Sequence, residues 1–83
     1  MAKRKAYTAT VVTAGGSMVA EATTYAWNSA VRASEALVRE LARSRGTTYT
    51  ASLPTVEGKP GDGIYRRMWA GDNGRTVWAV VES

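Results

Sequence analysis

The sequence predicts an α+β fold, in which one amphipathic helix packs on one face of an antiparallel sheet of four to five strands. Residues 7–13 alternate between apolar and polar side chains, as in a half-buried strand. Residues 28–45 repeat their apolar side chains at helical spacing, and Asp72-Asn73-Gly74 separates two apolar-rich segments in the manner of a hairpin turn. The expected element order is β-β-α-β-β-β.

The first 25 residues predict a hairpin. Residues 7–13 place Tyr7, Ala9 and Val11 on one side of a strand and threonines on the other. The Ala-Gly-Gly-Ser run at 14–17 is typical of a turn. Residues 18–25 contain Thr, Val and Tyr, which favours a second strand, although their alanines also suit the start of a helix.

Residues 28–45 carry the clearest pattern in the chain. At ~100° per residue, the apolar side chains fall within an arc of about 140°. The expected buried face consists of Trp27, Ala30, Val31, Ser34, Leu37, Val38, Leu41 and Ala42. The opposite face carries Arg32, Arg39 and Arg43. Asn28 or Ser29 is expected to cap the helix and Gly46 to end it, while Glu35 precedes Arg39 by the spacing of an ion pair.

A third strand and a loop are expected after the helix. Residues 47–53 alternate, with Tyr49, Ala51 and Leu53 on one side, and Pro54 marks an edge or a strand end. Residues 58–63 contain three glycines and a proline, which predicts a loop. This loop lacks the Lys-Ser/Thr ending of a phosphate-binding loop and does not open a helix.

The final hairpin, residues 64–81, sorts its side chains onto two faces. A two-residue turn at Asn73-Gly74 pairs Trp69 with Trp78, and moving the turn to Asp72-Asn73 leaves the faces unchanged. The first face would carry Ile64, Arg66, Met68, Ala70, Val77, Ala79 and Val81, and the second Tyr65, Arg67, Trp69, Thr76, Trp78, Val80 and Glu82.

The aliphatic face of this hairpin is expected to pack against the helix, because the threonines of the first and third strands leave the other side of the sheet wet. Tyr65, Arg67, Trp69 and Trp78 would then be exposed and, together with Arg75, form a partner-binding site. The reverse packing stays open, because the aliphatic face includes Arg66 and the tryptophans are large enough to form the core.

Composition narrows the chemistry. The 83 residues fit one domain, 1–83, with residues 1–5 as a basic, flexible arm. Cys and His are absent from the sequence, which excludes disulfides, thiolate zinc sites and His-based triads. The seven carboxylates are scattered, so we expect no enzyme, no metal and no cofactor; Asp62 or Asp72 acting as a base is the enzymatic alternative. No apolar run reaches the ~20 residues of a membrane span, so a cytoplasmic protein is expected.

A net charge of +4 makes an anionic partner plausible, either a nucleic acid or an acidic protein surface. The candidate electrostatic residues are Lys3, Arg4, Lys5, Arg32, Arg39 and Arg43. The alternative is an ordinary solvated helix surface, because Glu35 and Glu40 lie between the arginines, and a solubilising N-terminal arm.

The helix segment WNSAVRAS at 27–34 and the closing DNGRTVW at 72–78 resemble, in layout and spacing, small phage-encoded anti-CRISPR proteins that act on type I surveillance complexes. The resemblance spans residues 27–80 and assigns no individual functional residue. It implies a non-enzymatic protein that binds a Cas complex stoichiometrically in the host cell. Residues 7–11, 19–21 and 34–37 more faintly resemble HicB-type antitoxins.

These features lead to two functional expectations. The first is a binding protein that inhibits or modulates a nucleic-acid-handling complex, with a protein or ribonucleoprotein such as a Cas complex as its partner. The alternative is a small basic DNA- or RNA-binding regulator of the antitoxin or phage-regulator kind. Exposed sheet edges are compatible with a homodimer, but nothing in the sequence specifies one.

Overall fold

The computed structural model describes residues 5–59 and 62–83. The described residues form the elements β1 (Tyr7–Thr13), β2 (Met18–Thr24), α1 (Trp27–Arg45), β3 (Tyr49–Ala51), β4 (Thr55–Glu57), β5 (Ile64–Gly71) and β6 (Thr76–Glu82). The expected α+β class with one helix is confirmed. The sheet has six strands rather than four or five, because a further short strand, β4, forms after Pro54.

The sheet is antiparallel and has the strand order β2-β1-β6-β5-β3. Strand β4 also pairs with β5, so one long strand carries two short ones on the same outer edge. Tyr49 pairs with Gly71 near one end of β5, and Val56 pairs with Tyr65 near the other. The outer edge is therefore interrupted between β3 and β4, at residues 52–54.

The helix ends as expected but begins differently. Gly46 adopts a left-handed conformation with φ 61°, and its N–H points to the carbonyls of Ala42 and Arg43. The predicted capping by Asn28 or Ser29 is wrong, because the helix begins earlier and its N-cap is Ala26, which makes no side-chain capping bond. Trp27 occupies the first helical position, where its ring packs edge-on against Tyr7 at 5.8 Å between centroids.

The core lies between α1 and one face of the sheet, which we call the helix face. Its fully buried side chains include Val11 and Val38, and small residues such as Ala30, Ser34 and Ala79 let the helix approach the strands closely. The predicted buried side of the helix is confirmed. The helix packs mainly over β1, β2 and β6 and touches β3 near its end, so β5 lies toward the margin of the covered area.

The last hairpin has a register that the sequence reasoning missed. The Gly71 N–H donates to the carbonyl of Arg75 at 2.8 Å, so three residues, rather than two, form the loop. Gly74 takes the positive φ of 80°, whereas Asn73 does not, as expected for a three-residue loop that ends in a left-handed glycine. The Asn73 side-chain oxygen accepts a hydrogen bond from the Arg75 N–H at 2.9 Å, which supports this loop.

This register changes which residues share a face. Trp69 pairs with Val77, and Trp78 pairs with Met68, so the predicted pairing of the two tryptophans is wrong. A shift of one residue moves every side chain of β5 to the other side relative to β6. The helix face therefore carries Tyr65, Arg67, Trp69, Val77, Ala79 and Val81. The opposite side, which we call the open face, carries Ile64, Arg66, Met68, Ala70, Thr76, Trp78, Val80 and Glu82.

Helix α1 is long but too polar to cross a membrane. The helix has 19 residues but carries arginines and glutamates along its exposed side. Across the described part of the chain, no helix is long and apolar enough to cross a membrane.

Candidate functional site: the open face and a basic cleft

The predicted aromatic cluster is divided between the two faces of the sheet. Trp78 lies on the open face and is 37% exposed, as expected. The predicted exposure of Tyr65, Arg67 and Trp69 is wrong, because the three-residue loop turns these side chains toward the helix. Tyr65 is only 5% exposed, and Trp69 packs against the core cluster around Val38.

Arg67 is held in place by several groups at the margin of the core. Its Nε donates to the carbonyl oxygen of Ser52 at 2.7 Å, and its Nη1 lies 3.4 Å from Oε1 of Glu35 on the helix. The guanidinium also sits 5.3 Å from the ring centroid of Trp69. These contacts compensate the positive charge of Arg67 within the fold. Arg67 therefore has a structural role at the edge of the area that the helix covers.

Tyr65 and Trp69 have buried polar groups beside this arginine. Burial raises the pKa of the Tyr65 hydroxyl, and the neighbouring Arg67 guanidinium acts in the opposite direction. Among the described residues, the indole N–H of Trp69 is the buried side-chain polar group that has no hydrogen-bond partner. Both residues therefore belong to the packed interior rather than to an exposed platform.

The open face carries an apolar row that crosses four neighbouring strands. The row is defined by cross-strand pairs, since Met18 pairs with Val12, Val12 with Trp78, and Trp78 with Met68. Met18 is 58% exposed and Trp78 is 37% exposed, while Val12 and Met68 are half-buried. The only helix of the described residues lies on the other side of the sheet, so this apolar row faces outward.

A mostly polar row borders the apolar row on one side. The next row of the open face contains Glu21, Thr10, Val80 and Arg66, from β2, β1, β6 and β5 respectively. Arg66 Nη1 lies 3.0 Å from Oε1 of Glu57 at the sheet edge. An apolar centre with a polar border is the arrangement found in protein interfaces.

The arginines of the helix lie on its exposed side, as expected. Arg39 Nη2 lies 3.7 Å from Oε2 of Glu35, which confirms the predicted i,i+4 ion pair. Arg32 and Arg43 take part in none of the ion pairs found among the described residues. Of the three predicted helix arginines, Arg32 and Arg43 therefore have no ion-pair partner there, and Arg39 shares Glu35 with Arg67.

Among the described residues, two of the predicted basic side chains, Lys5 and Arg75, lie at separate places in the fold. Lys5 Nζ lies 2.8 Å from Oδ1 of Asp62 and 5.7 Å from the ring centroid of Tyr7, so this lysine is tied to the segment before β5. Lys3 and Arg4 lie outside the described residues. Arg75 lies at the β5–β6 turn, at the opposite end of β5 from Asp62, and is separate from the Lys5 site.

Arg75 lines a cleft that the sequence reasoning did not anticipate. The cleft has a volume of about 420 Å³ and is formed by Thr13, Ala14, Gly15, Arg45, Gly74, Arg75, Thr76 and Val77. Arg45 is not singled out by the sequence, because a basic residue in the last helical turn is already accounted for by the negative end of the helix dipole. The β1–β2 and β5–β6 turns lie at the same end of the sheet, because the end of β1 pairs with the start of β6. This pairing of the two hairpins was the signal that could have located the cleft.

The described residues contain no cluster of three or more His, Cys, Asp or Glu side chains that could hold a metal ion. The candidate binding surfaces that the geometry defines are the open face and the basic cleft.

Comparisons of this chain with protein-family models, with curated proteins and with solved structures found no match.

Proposed function

We propose that this protein is a non-enzymatic binding protein that inhibits or modulates a nucleic-acid-handling complex by covering a surface on one of its protein components. The supporting observation is the apolar row on the open face, with the 37%-exposed Trp78 near its centre. Monomeric proteins rarely leave contiguous apolar patches of this kind uncovered unless they serve an interaction.

The side chains of the row suit a protein interface. Trp78 offers a large apolar ring with one polar N–H, the type of residue that most often dominates binding energy. Met18 and Met68 are flexible and polarizable, so they can adapt to the shape of a partner. Four adjacent strands at a spacing of ~4.8 Å make the row about 14 Å wide, which suits the centre of a modest interface.

The charge of the chain favours an acidic complex as the partner. The net charge is +4, and the exposed arginines Arg32 and Arg43 lie on the helix, away from the open face. Such charges raise the association rate with an acidic or nucleic-acid-bearing complex without themselves forming the contact. The anti-CRISPR resemblance makes a type I Cas surveillance complex the first partner to test.

The test measures binding of the purified protein to an immobilised type I surveillance complex by surface plasmon resonance. We expect Trp78→Ala and Met68→Ala each to weaken binding by about tenfold or more, the loss typical of a central interface residue. The matched control is Leu53→Ala, which removes an apolar side chain that is 89% exposed but lies outside the apolar row. Unchanged affinity of a correctly folded Trp78→Ala variant would contradict the proposed interface.

Direct nucleic-acid binding is the second candidate function, favoured by the exposed, unpaired state of Arg32 and Arg43 among the described residues. Phosphate neutralisation by these side chains predicts an affinity for random-sequence DNA or RNA that falls steeply with salt. A mobility-shift series with duplex and single strands, carried out at several salt concentrations, measures this dependence. Failure to bind either probe at low salt would remove this candidate.

A further inference from the structure

The basic cleft lies at one end of the molecule, where three segments meet. The β1–β2 turn contributes Thr13, Ala14 and Gly15, the end of α1 contributes Arg45, and the β5–β6 turn with the start of β6 contributes Gly74, Arg75, Thr76 and Val77. Its volume of about 420 Å³ falls within the range of ~300–1,000 Å³ that is usual for small-molecule sites. The cleft is therefore large enough for a nucleotide-sized ligand.

The charges in the cleft are of one sign. Arg45 and Arg75 line it, and the lining includes no carboxylate. Neither arginine takes part in an ion pair among the described residues. The negative end of the helix dipole accounts for Arg45 alone, but it does not account for a second guanidinium brought to the same cleft by a different hairpin. Two exposed like charges at one cleft repel each other weakly, and an anion bound between them removes that repulsion.

The position of Arg45 is supported by a neighbouring side chain. Its Nη1 lies 3.4 Å from the hydroxyl oxygen of Tyr49, a buried residue at the start of β3. This contact helps to hold the guanidinium at the cleft rather than leaving it free in solvent. An arginine that is already oriented loses less conformational freedom when it binds a ligand.

The hydrogen-bond donors favour phosphate over carboxylate. The lining also contains Thr13 and Thr76, and the Thr13 oxygen already accepts a bond from the Ser17 N–H at 3.2 Å, so its own hydrogen can be donated. A carboxylate has two oxygens and is satisfied by one bidentate arginine, whereas a phosphate offers more oxygens to several donors.

We propose that this cleft binds the phosphate group of a nucleotide or of a nucleic-acid strand. Arg45 and Arg75 would pair with the phosphate oxygens, and Thr13 and Thr76 would donate further hydrogen bonds. Ala14 gives the cleft exposed apolar surface against which a sugar or a base can pack. This inference goes beyond the proposed use of the open face, and it stands even if Trp78 variants leave partner binding unchanged.

The experiment measures binding of a fluorescein-labelled, random-sequence single strand by fluorescence anisotropy, with AMP and inorganic phosphate followed through amide chemical shifts in NMR spectra. We expect the ligands to shift the amides of Gly15, Gly74 and Thr76. The double variant R45Q/R75Q is expected to weaken binding by about tenfold or more, as for the loss of charge-assisted hydrogen bonds. Binding of AMP identifies a free nucleotide as a source of the phosphate, and binding of the oligonucleotide alone identifies the nucleic-acid backbone.

The matched control is K59Q, which removes one positive charge from the loop before β5, at the end of that strand opposite to the β5–β6 turn. We expect K59Q to change affinity by less than about twofold, since it removes only a distant, solvent-screened charge. Three results would each overturn the proposal: a K59Q loss equal to that of R45Q/R75Q, ligand-induced shifts confined to the exposed side of the helix, or displacement of both phosphate probes by a polyglutamate peptide. Circular dichroism of each variant confirms that the fold is retained.

Discussion

Arg67 on β5 and Glu35 on α1 join the sheet to the helix, with Nη1 of the arginine 3.4 Å from Oε1 of the glutamate. Both side chains are largely shielded, at 25% and 28% exposure. Glu35 also lies 3.7 Å from Arg39, so one carboxylate serves two arginines from different elements. The contact lies where the helix no longer covers β5. It therefore connects the helix to the sheet at the edge of the core.

We expect Arg67→Met to lower the free energy of unfolding by about 1–3 kcal/mol, because it removes the bond to the Ser52 carbonyl and leaves that acceptor short of a partner. Urea denaturation measures the loss. The matched control is Arg66→Met on the open face, whose ion pair with Glu57 is 43% and 61% exposed and should contribute less than about 1 kcal/mol. An equal decrease in the free energy of unfolding for the two variants would contradict the structural role of Arg67.

The two tryptophans of the hairpin should differ in their contribution to stability. Trp69→Ala removes a side chain that packs against the core and should cost about 3 kcal/mol, whereas Trp78→Ala on the open face should cost about 1 kcal/mol. Thermal and chemical unfolding of both variants measures the difference. A larger loss for Trp78→Ala would contradict the register in which Trp69 faces the helix.

A methyl group at Gly71 should disrupt the β5–β6 turn. A Cβ placed there would lie 2.6 Å from Oδ1 of Asn73, 2.7 Å from the carbonyl oxygen of Arg75 and 3.0 Å from the ring of Tyr49. We expect Gly71→Ala to cost about 1–3 kcal/mol of unfolding free energy, as for overpacking elsewhere. Gly15→Ala is the control, because its Cβ would meet nothing closer than 3.9 Å; a similar cost there would point to a general effect of replacing glycine.

The ion pair between Lys5 and Asp62 should be visible in a pH titration. The hydrogen bond from Lys5 lowers the pKa of the Asp62 carboxyl below its usual 3.8, so any stabilisation by this pair is present above that pH and is lost as the pH falls through the lowered value. NMR of the carboxyl carbon measures the midpoint. Lys5→Met should return it toward 3.8, while Lys59→Met, three residues before Asp62, should leave it unchanged.

The sequence predicted the parts of the fold that depend on periodicity. The apolar repeat of residues 28–45 identified the helix and its buried side, since Ala30, Ser34 and Val38 are fully buried. The alternation in residues 7–13 correctly placed Tyr7, Ala9 and Val11 on the buried side of β1. These predictions held because each depends only on spacing within one element.

The prediction of the exposed aromatic cluster failed because it depended on pairing between two strands. The Asp72-Asn73-Gly74 turn accommodates either a two-residue or a three-residue loop, and these alternatives place opposite faces of β5 beside the same face of β6. The choice is made by tertiary contacts, including the bond from the Asp72 N–H to the Thr48 carbonyl and the burial of Tyr65. The cleft lined by Arg45 and Arg75 was missed for a similar reason, because the two side chains are 30 positions apart and meet only through the sheet topology.

The interruption between β3 and β4 has a consequence for how this sheet can grow. On that border, two three-residue strands separated by residues 52–54 offer a foreign strand only short, broken runs of backbone. The other border is β2, which is seven residues long and, within the described part of the chain, pairs only with β1. Recruitment of a further strand, whether from another molecule or during misassembly, is thus directed to Met18–Thr24, where Glu21 and the bulge opposite Val11 and Val12 limit it.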